Sequence, residues 1–172
     1  MNYKAKLHKI NTFIFDFDGV LSDGKVITLP DGDQLRSTNV KDGYALRYAL
    51  DRNYCVAIIS GGYSDSMKHR YKTFPGIQIF LSVSNKIEVY EQLLETWKIQ
   101  DENVLYMGDD IPDMPVMARV GVKTCPADAA VEIKKMADYI SLYKGGEGCV
   151  RDVIEQTLKL QGCWLDNEAH LW

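Results

Sequence analysis

The sequence is poor in the residues that most often mark a zinc or redox protein. It holds three histidines, His8, His69 and His170, far apart along the chain. It holds four cysteines, Cys55, Cys125, Cys149 and Cys163, no two of which form a C-x-x-C pair. A zinc knuckle or a dithiol redox motif is thereby excluded, and free thiols in a reducing cytosol are expected. The histidines are expected at the surface. Basic excess is missing too: 20 Lys and Arg against 24 Asp and Glu leave a net charge of −4, without the footprint of a nucleic-acid binder. No window approaches the 18 apolar residues of a membrane span. The opening MNYKAKLHKI lacks the apolar stretch of a signal peptide. A soluble cytoplasmic protein is expected, without internal repeats or low-complexity linkers.

What remains is an ordinary globular composition over 172 residues, 46% hydrophobic and 26% charged. That length suits one domain over 1–172. Short apolar runs alternate with helical patterns. Strands are expected over Thr12–Phe17, Cys55–Ser60, Ile77–Leu81, Val104–Met107, Gly121–Thr124 and Tyr139–Ser141. Helices are expected over Gly43–Asn53 with Asp42 as N-cap, and over Ser64–Lys72, Lys86–Trp97, Met114–Val120, Ala129–Ala137 and Val150–Leu160. Two β-rich pieces around Pro30-Asp31-Gly32-Asp33 make a hairpin of residues 25–38. The alternation predicts an α/β, Rossmann-like, doubly wound and mainly parallel sheet with helices on both faces and an extruded hairpin.

Three of the expected strands end in chemistry-bearing residues. The first ends in Asp16 and Asp18, the second in Ser60, the fourth in Asp109, Asp110 and Asp113. In a parallel sheet these ends meet on one edge, where such folds bind ligands. Like charges gathered there need a cation among them. An oxygen-only donor set favours a hard ion, Mg²⁺ first. Ser60 and Lys86 gain meaning only from their order and spacing with the acids.

The segments Phe15-Asp16-Phe17-Asp18-Gly19-Val20, Ile58-Ile59-Ser60-Gly61, Lys86 and Met107-Gly108-Asp109-Asp110-Ile111-Pro112-Asp113 resemble, in order, the four motifs of the haloacid dehalogenase-like phosphatases. The resemblance implies a Mg²⁺-dependent phosphomonoesterase with Asp16 as nucleophile and Asp18 as general acid and base. It implies Ser60, Gly61 and Lys86 at the phosphoryl group. Mg²⁺ would be held by Asp16, the backbone carbonyl of Asp18, and Asp109, with Asp110 and Asp113 in support.

Only 40 residues separate Gly19 from Ser60 and only 25 separate Ser60 from Lys86, so neither gap holds a cap domain. An open site needs another closure, and a neighbouring subunit is the natural one. Capless members of the family that act on 8- and 9-carbon keto-sugar acid phosphates are small tetramers. This chain resembles them at Leu21-Ser22-Asp23-Gly24, at Asn39-Val40-Lys41-Asp42-Gly43 and at Lys144 to Asp152. The resemblance, strongest to the 8-carbon branch, implies a homotetramer built on the hairpins. It implies a substrate pocket bordered by Asn39, Val40, Lys41, Asp42, Gly43, Arg47, Gly62 and Arg70. The Gly145–Gly148 loop is expected to act as a flap, and the tail, 162–172, to reach a neighbouring site. Position 62 departs from the pattern: many members carry Arg there and the 9-carbon branch carries Glu. The sugar-acid carboxylate is then left to Arg70, Lys41 or Arg47, or the substrate differs. A 9-carbon or broader sugar phosphatase stays open, as does a phosphoryl-binding module without turnover.

Overall fold

A computed structural model describes residues 2–165 and Ala169. The expectations for His170, Trp172 and most of the tail lie outside the described residues. A short helix α1 (Tyr3–Leu7), absent from the expectations, precedes strand β1 (Thr12–Phe15). A hairpin of two very short strands follows, β2 (Ile27–Thr28) and β3 (Gln34–Leu35), antiparallel to each other. The chain then alternates through α2 (Val40–Leu50), β4 (Cys55–Ile59), α3 (Asp65–Tyr71), β5 (Gln78–Phe80), α4 (Lys86–Trp97) and β6 (Val104–Met107). It ends with α5 (Met114–Met117), β7 (Val122–Cys125), α6 (Val131–Met136), β8 (Tyr139–Ile140) and α7 (Cys149–Leu160). Six strands form one sheet in the order β5-β4-β1-β6-β7-β8, every pairing parallel. This is the Rossmann-like arrangement that the alternation predicts.

Both faces of the sheet are buried, which is why its strands read as continuous apolar runs. Phe13, Phe15, Ile58, Leu105 and Met107 pack toward α2, α3 and α7. Ile14, Ala57, Ile59, Val104 and Tyr106 pack toward α4, α5 and α6. The reversal of strand order falls at β1, between β4 and β6, and opens the crevice at their carboxyl ends. Among the described residues no helix is long and apolar enough to cross a membrane.

One helix start is corrected. Asn39, not Asp42, caps α2, accepting the Lys41 amide at 2.8 Å. Asp42 sits buried in the first turn and caps another helix, accepting the Arg151 amide at the start of α7 at 2.7 Å. The expected helix over 114–120 starts at Met114 as expected but ends at Met117, and a 3₁₀ turn (Ile111–Asp113) leads into it.

The glycine loop before α7 is packed rather than loose. Gly146 donates its amide to the Val20 carbonyl at 2.9 Å, and Gly145 donates to Asp128 Oδ1 at 2.9 Å. A Cβ on Gly145 would lie 1.9 Å from the Gly19 carbonyl oxygen. Only glycine admits that approach, so the loop braces the turn after β1 from behind. Trp164 lies on the domain's own surface, 4.7 Å ring to ring from Tyr48.

Candidate active site

The carboxyl ends of β1, β4 and β6 converge on a cavity of about 610 Å³. Asp16, Asp18, Ser60, Gly61, Gly62, Lys86, Asp109, Asp110 and Asp113 all line it. The paired register explains the meeting: Phe15 stands beside Ile58 and Met107, so the residues one or two steps further on share an edge.

Lys86, the first residue of α4, is buried and bridges two acids. Its Nζ lies 2.8 Å from Asp16 Oδ1 and 2.7 Å from Asp113 Oδ1. Burial alone would depress its pKa, but the Asp16 and Asp113 carboxylates outweigh that and hold it above the ordinary lysine value. Asp113 is fully engaged. Its Oδ1 also accepts from the Tyr106 hydroxyl at 2.6 Å, and its Oδ2 accepts the amides of Asp109 and Asp110 at 3.0 and 3.3 Å. It therefore fixes Lys86 and the loop after β6.

Asp16 is pinned through Oδ1 by Lys86 and by the Phe17 amide at 2.7 Å. Burial, then the Asp113 charge, push its carboxyl up to about 6. Burial, then the charges of Asp16 and Asp113, push Asp109 up to about 8. Asp109 Oδ1 is buried without a hydrogen-bond partner. Asp16, Asp109 and Asp113 each offer an oxygen within 4.8 Å of the others. One ammonium among three gathered carboxylates leaves negative charge uncompensated, and the donor set is all oxygen. These residues fit a hard divalent cation, with Asp16 and Asp109 as the acids free to hold it.

Ser60 accepts the Gly62 amide on its hydroxyl oxygen at 3.1 Å, which leaves its proton for an acceptor in the cavity. Asp18 is turned away from the acid cluster. Its Oδ1 accepts from Arg36 Nε at 2.6 Å and from the Ser22 hydroxyl at 3.2 Å. Arg36 comes from the hairpin and was not among the expected site residues. A lone arginine after a two-residue strand carries no periodic signal, and only the fold brings it to Asp18. Asp110 is exposed and caps its own 3₁₀ turn through the Ile111 amide.

Of the expected substrate contacts, Gly62 lines this cavity. Asn39 and Lys41 instead line a second cavity of about 500 Å³ beside α7. Val40 is exposed, and Arg47 pairs with Asp51 at 2.9 Å. Gly43 packs against the Arg70 guanidinium, which reaches Thr38 Oγ1 at 3.3 Å. Within one chain, the segment 39–43, Arg47 and Arg70 stand apart from the catalytic acids.

Residues 66–153 match the family model described as haloacid dehalogenase-like hydrolase. The chain is 41% identical over 158 residues to a 3-deoxy-D-manno-octulosonate 8-phosphate phosphatase of Salmonella typhi, covering 92% of this chain and 84% of that protein. It is similar to the crystal structure of the phosphatase of that name from Yersinia pestis, with a TM-score of 0.91, 36% identity, and 94% and 88% of the two chains covered. It is also similar to the Moraxella catarrhalis phosphatase of that name in complex with magnesium, phosphate and KDO. There the TM-score is 0.89 and the identity 29%, over 93% of this chain and 92% of that one.

Proposed function

The chain belongs to the haloacid dehalogenase-like hydrolases and is a phosphoric monoester hydrolase; we propose that it hydrolyses 3-deoxy-D-manno-octulosonate 8-phosphate to the free sugar acid and phosphate, with Mg²⁺ as cofactor. The observation that carries the reading is the convergence of Asp16, Asp18, Ser60, Lys86 and Asp109 on one cavity at the sheet's carboxyl edge. The names of the relatives supply the substrate. The reaction is a step of lipopolysaccharide sugar biosynthesis.

Asp16 attacks phosphorus, the ester P–O bond breaks, and an aspartyl-phosphate forms on its carboxylate. Asp18 gives its proton to the departing sugar oxygen. Asp18 then takes a proton from water, which attacks phosphorus, breaks the acyl-phosphate bond and frees Asp16. Ser60 and the neighbouring Gly61 hold phosphoryl oxygens, and Lys86 offsets their charge. Asp16, Asp109 and the main-chain carbonyl of Asp18 would hold Mg²⁺, which supplies charge neutralisation and orientation of the phosphoryl group. Asp113 supports this set by fixing Lys86, and Asp110 by capping the adjoining turn.

The site of a single chain is open, and we propose that it is closed in a homotetramer whose core is the hairpin of residues 25–38. Val26, Ile27 and Leu35 are apolar and exposed there. A cytoplasmic enzyme accords with four free cysteines.

Phosphate release from 3-deoxy-D-manno-octulosonate 8-phosphate, measured beside a 9-carbon keto-sugar acid 9-phosphate, tests the reading. The 8-carbon ester is expected to give the higher kcat/KM. EDTA and Asp16→Asn abolish release, and Asp18→Asn lowers kcat by about 10²–10⁴-fold. A higher kcat/KM on the 9-carbon ester would move the assignment to that substrate. Absence of release from either ester would overturn the catalytic reading.

A further inference from the structure

Arg36 is the hairpin residue that turns inward. Its neighbour Leu35 is exposed, yet the Arg36 side chain is only 3% exposed. Burying a guanidinium is costly unless its donors are met. Three of its five donors are met here: Nε donates to Asp18 Oδ1 at 2.6 Å, Nη1 to the Gln34 carbonyl at 3.4 Å and Nη2 to Gln34 Oε1 at 3.1 Å. Gln34 therefore orients the guanidinium, and the guanidinium orients Asp18.

Ser22 also donates to Oδ1 at 3.2 Å, so both of these donors hold the same carboxylate oxygen. A Cβ placed on Gly62 would lie 2.8 Å from Asp18 Oδ2, 2.9 Å from Arg36 Nη2 and 3.5 Å from Ser60 Oγ. Those three atoms thus crowd around one small space, and the space exists because residue 62 has no side chain.

We propose that Arg36 is a positioning residue for Asp18: it holds Oδ1 so that Oδ2 faces the leaving oxygen, in room that Gly62 leaves open. The proposal rests on the phosphatase reading and deepens it. It makes Gly62 and Arg36 one device, with a residue of the hairpin setting the aim of the general acid. A free carboxylate on a loop samples several rotamers, and a misplaced group loses much of its effect.

Proton donation matters for a sugar alkoxide and little for a nitrophenolate, which leaves unaided. The experiment compares 3-deoxy-D-manno-octulosonate 8-phosphate with p-nitrophenyl phosphate. Arg36→Met is expected to lower kcat on the sugar ester about 100-fold, with a loss on p-nitrophenyl phosphate at least ~10-fold smaller. Arg36→Lys restores part of the sugar-ester rate. Gly62→Ala, whose added carbon pushes Asp18 and Arg36 apart, shows the same split with the hairpin's own sequence unchanged. Equal losses on both esters would make Arg36 a structural staple and overturn the proposal. So would a rise in KM confined to the sugar acid with kcat unchanged, which would make Arg36 a reader of substrate charge. Wild-type turnover of p-nitrophenyl phosphate, lost in Asp16→Asn, checks the phosphatase reading separately from either result.

Discussion

Asp42 buries a carboxyl group between α2 and α7, away from the catalytic acids. Burial pushes it up to about 6, against the amides of Arg151 and Gly148 that favour its charge. The native state thus holds this proton more tightly than an unfolded chain, where the value is near 3.8. Stability from the neutral form is full below about pH 4 and is lost as pH rises through about 6. A shift of about two units corresponds to about 3 kcal/mol. Asp42→Asn should remove that component, so its urea midpoint changes less than the wild type's between pH 4.5 and 7. Equal pH slopes in the two proteins would contradict it. The acids of the site make a second prediction. A divalent cation takes Asp16 and Asp109 as carboxylates, and their values near 6 and 8 mean that protons leave as it binds. Mg²⁺ affinity should therefore rise from pH 6 to 8. Titration calorimetry in buffers of different ionisation heat should show proton release at pH 7; a buffer-independent heat would refute it. The clustered acids stand out in the sequence because they follow apolar strands, and Ser60 and Lys86 stand out through their order and spacing with them. Arg36 and the cap role of Asp42 do not, because each acts on a partner far away in sequence, and Tyr106 reads only as an apolar strand residue although its hydroxyl reaches Asp113.

At the scale of elements, the turn after β1 is clamped between the sheet and the glycine loop before α7. Gly145→Ala places a carbon 1.9 Å from the Gly19 carbonyl oxygen and 3.1 Å from that of Ser22. Both obstacles are backbone, so the turn must move. The expected cost is about 1–3 kcal/mol, read as a lower urea midpoint. A fall in phosphatase rate should accompany it, since the same turn follows Asp18. A wild-type midpoint would show that the clamp yields freely. The loop is thus a brace for that turn in this chain. Elements with strong local signals were found in place: α4 runs Lys86–Trp97 and β6 runs Val104–Met107, as their apolar spacing indicates. Those ruled by tertiary contacts were not. Asp42 reads as a cap by residue type, but Asn39 lies three residues earlier and takes that role. The hairpin strands shrink to two residues each because no sheet in the chain supports them.

At the scale of the molecule, the proposed tetramer rests on the exposed apolar residues of the hairpin. Ile27 is 66% exposed. Light scattering after size exclusion should give four times the chain mass of 19.5 kDa. Ile27→Glu should shift the protein to smaller species and lower its turnover. A monomer with full activity would remove the role of neighbouring subunits. Fold class was legible from strand and helix alternation alone. The position of the segment 39–43 apart from the site acids was not, because its packing against α7, far away in sequence, sets it.

The central strand of the sheet is also the first to be synthesised. β1 leaves the ribosome before β4 and long before β6, so its two neighbours arrive from later parts of the chain. Parallel pairing across such crossovers is slow. Along the chain, Asp16 comes first, Lys86 next, and Asp109 and Asp113 last. The ammonium is already made when the second and third acids emerge. At no stage of synthesis does the nascent chain hold the three gathered acids without the ammonium that bridges two of them.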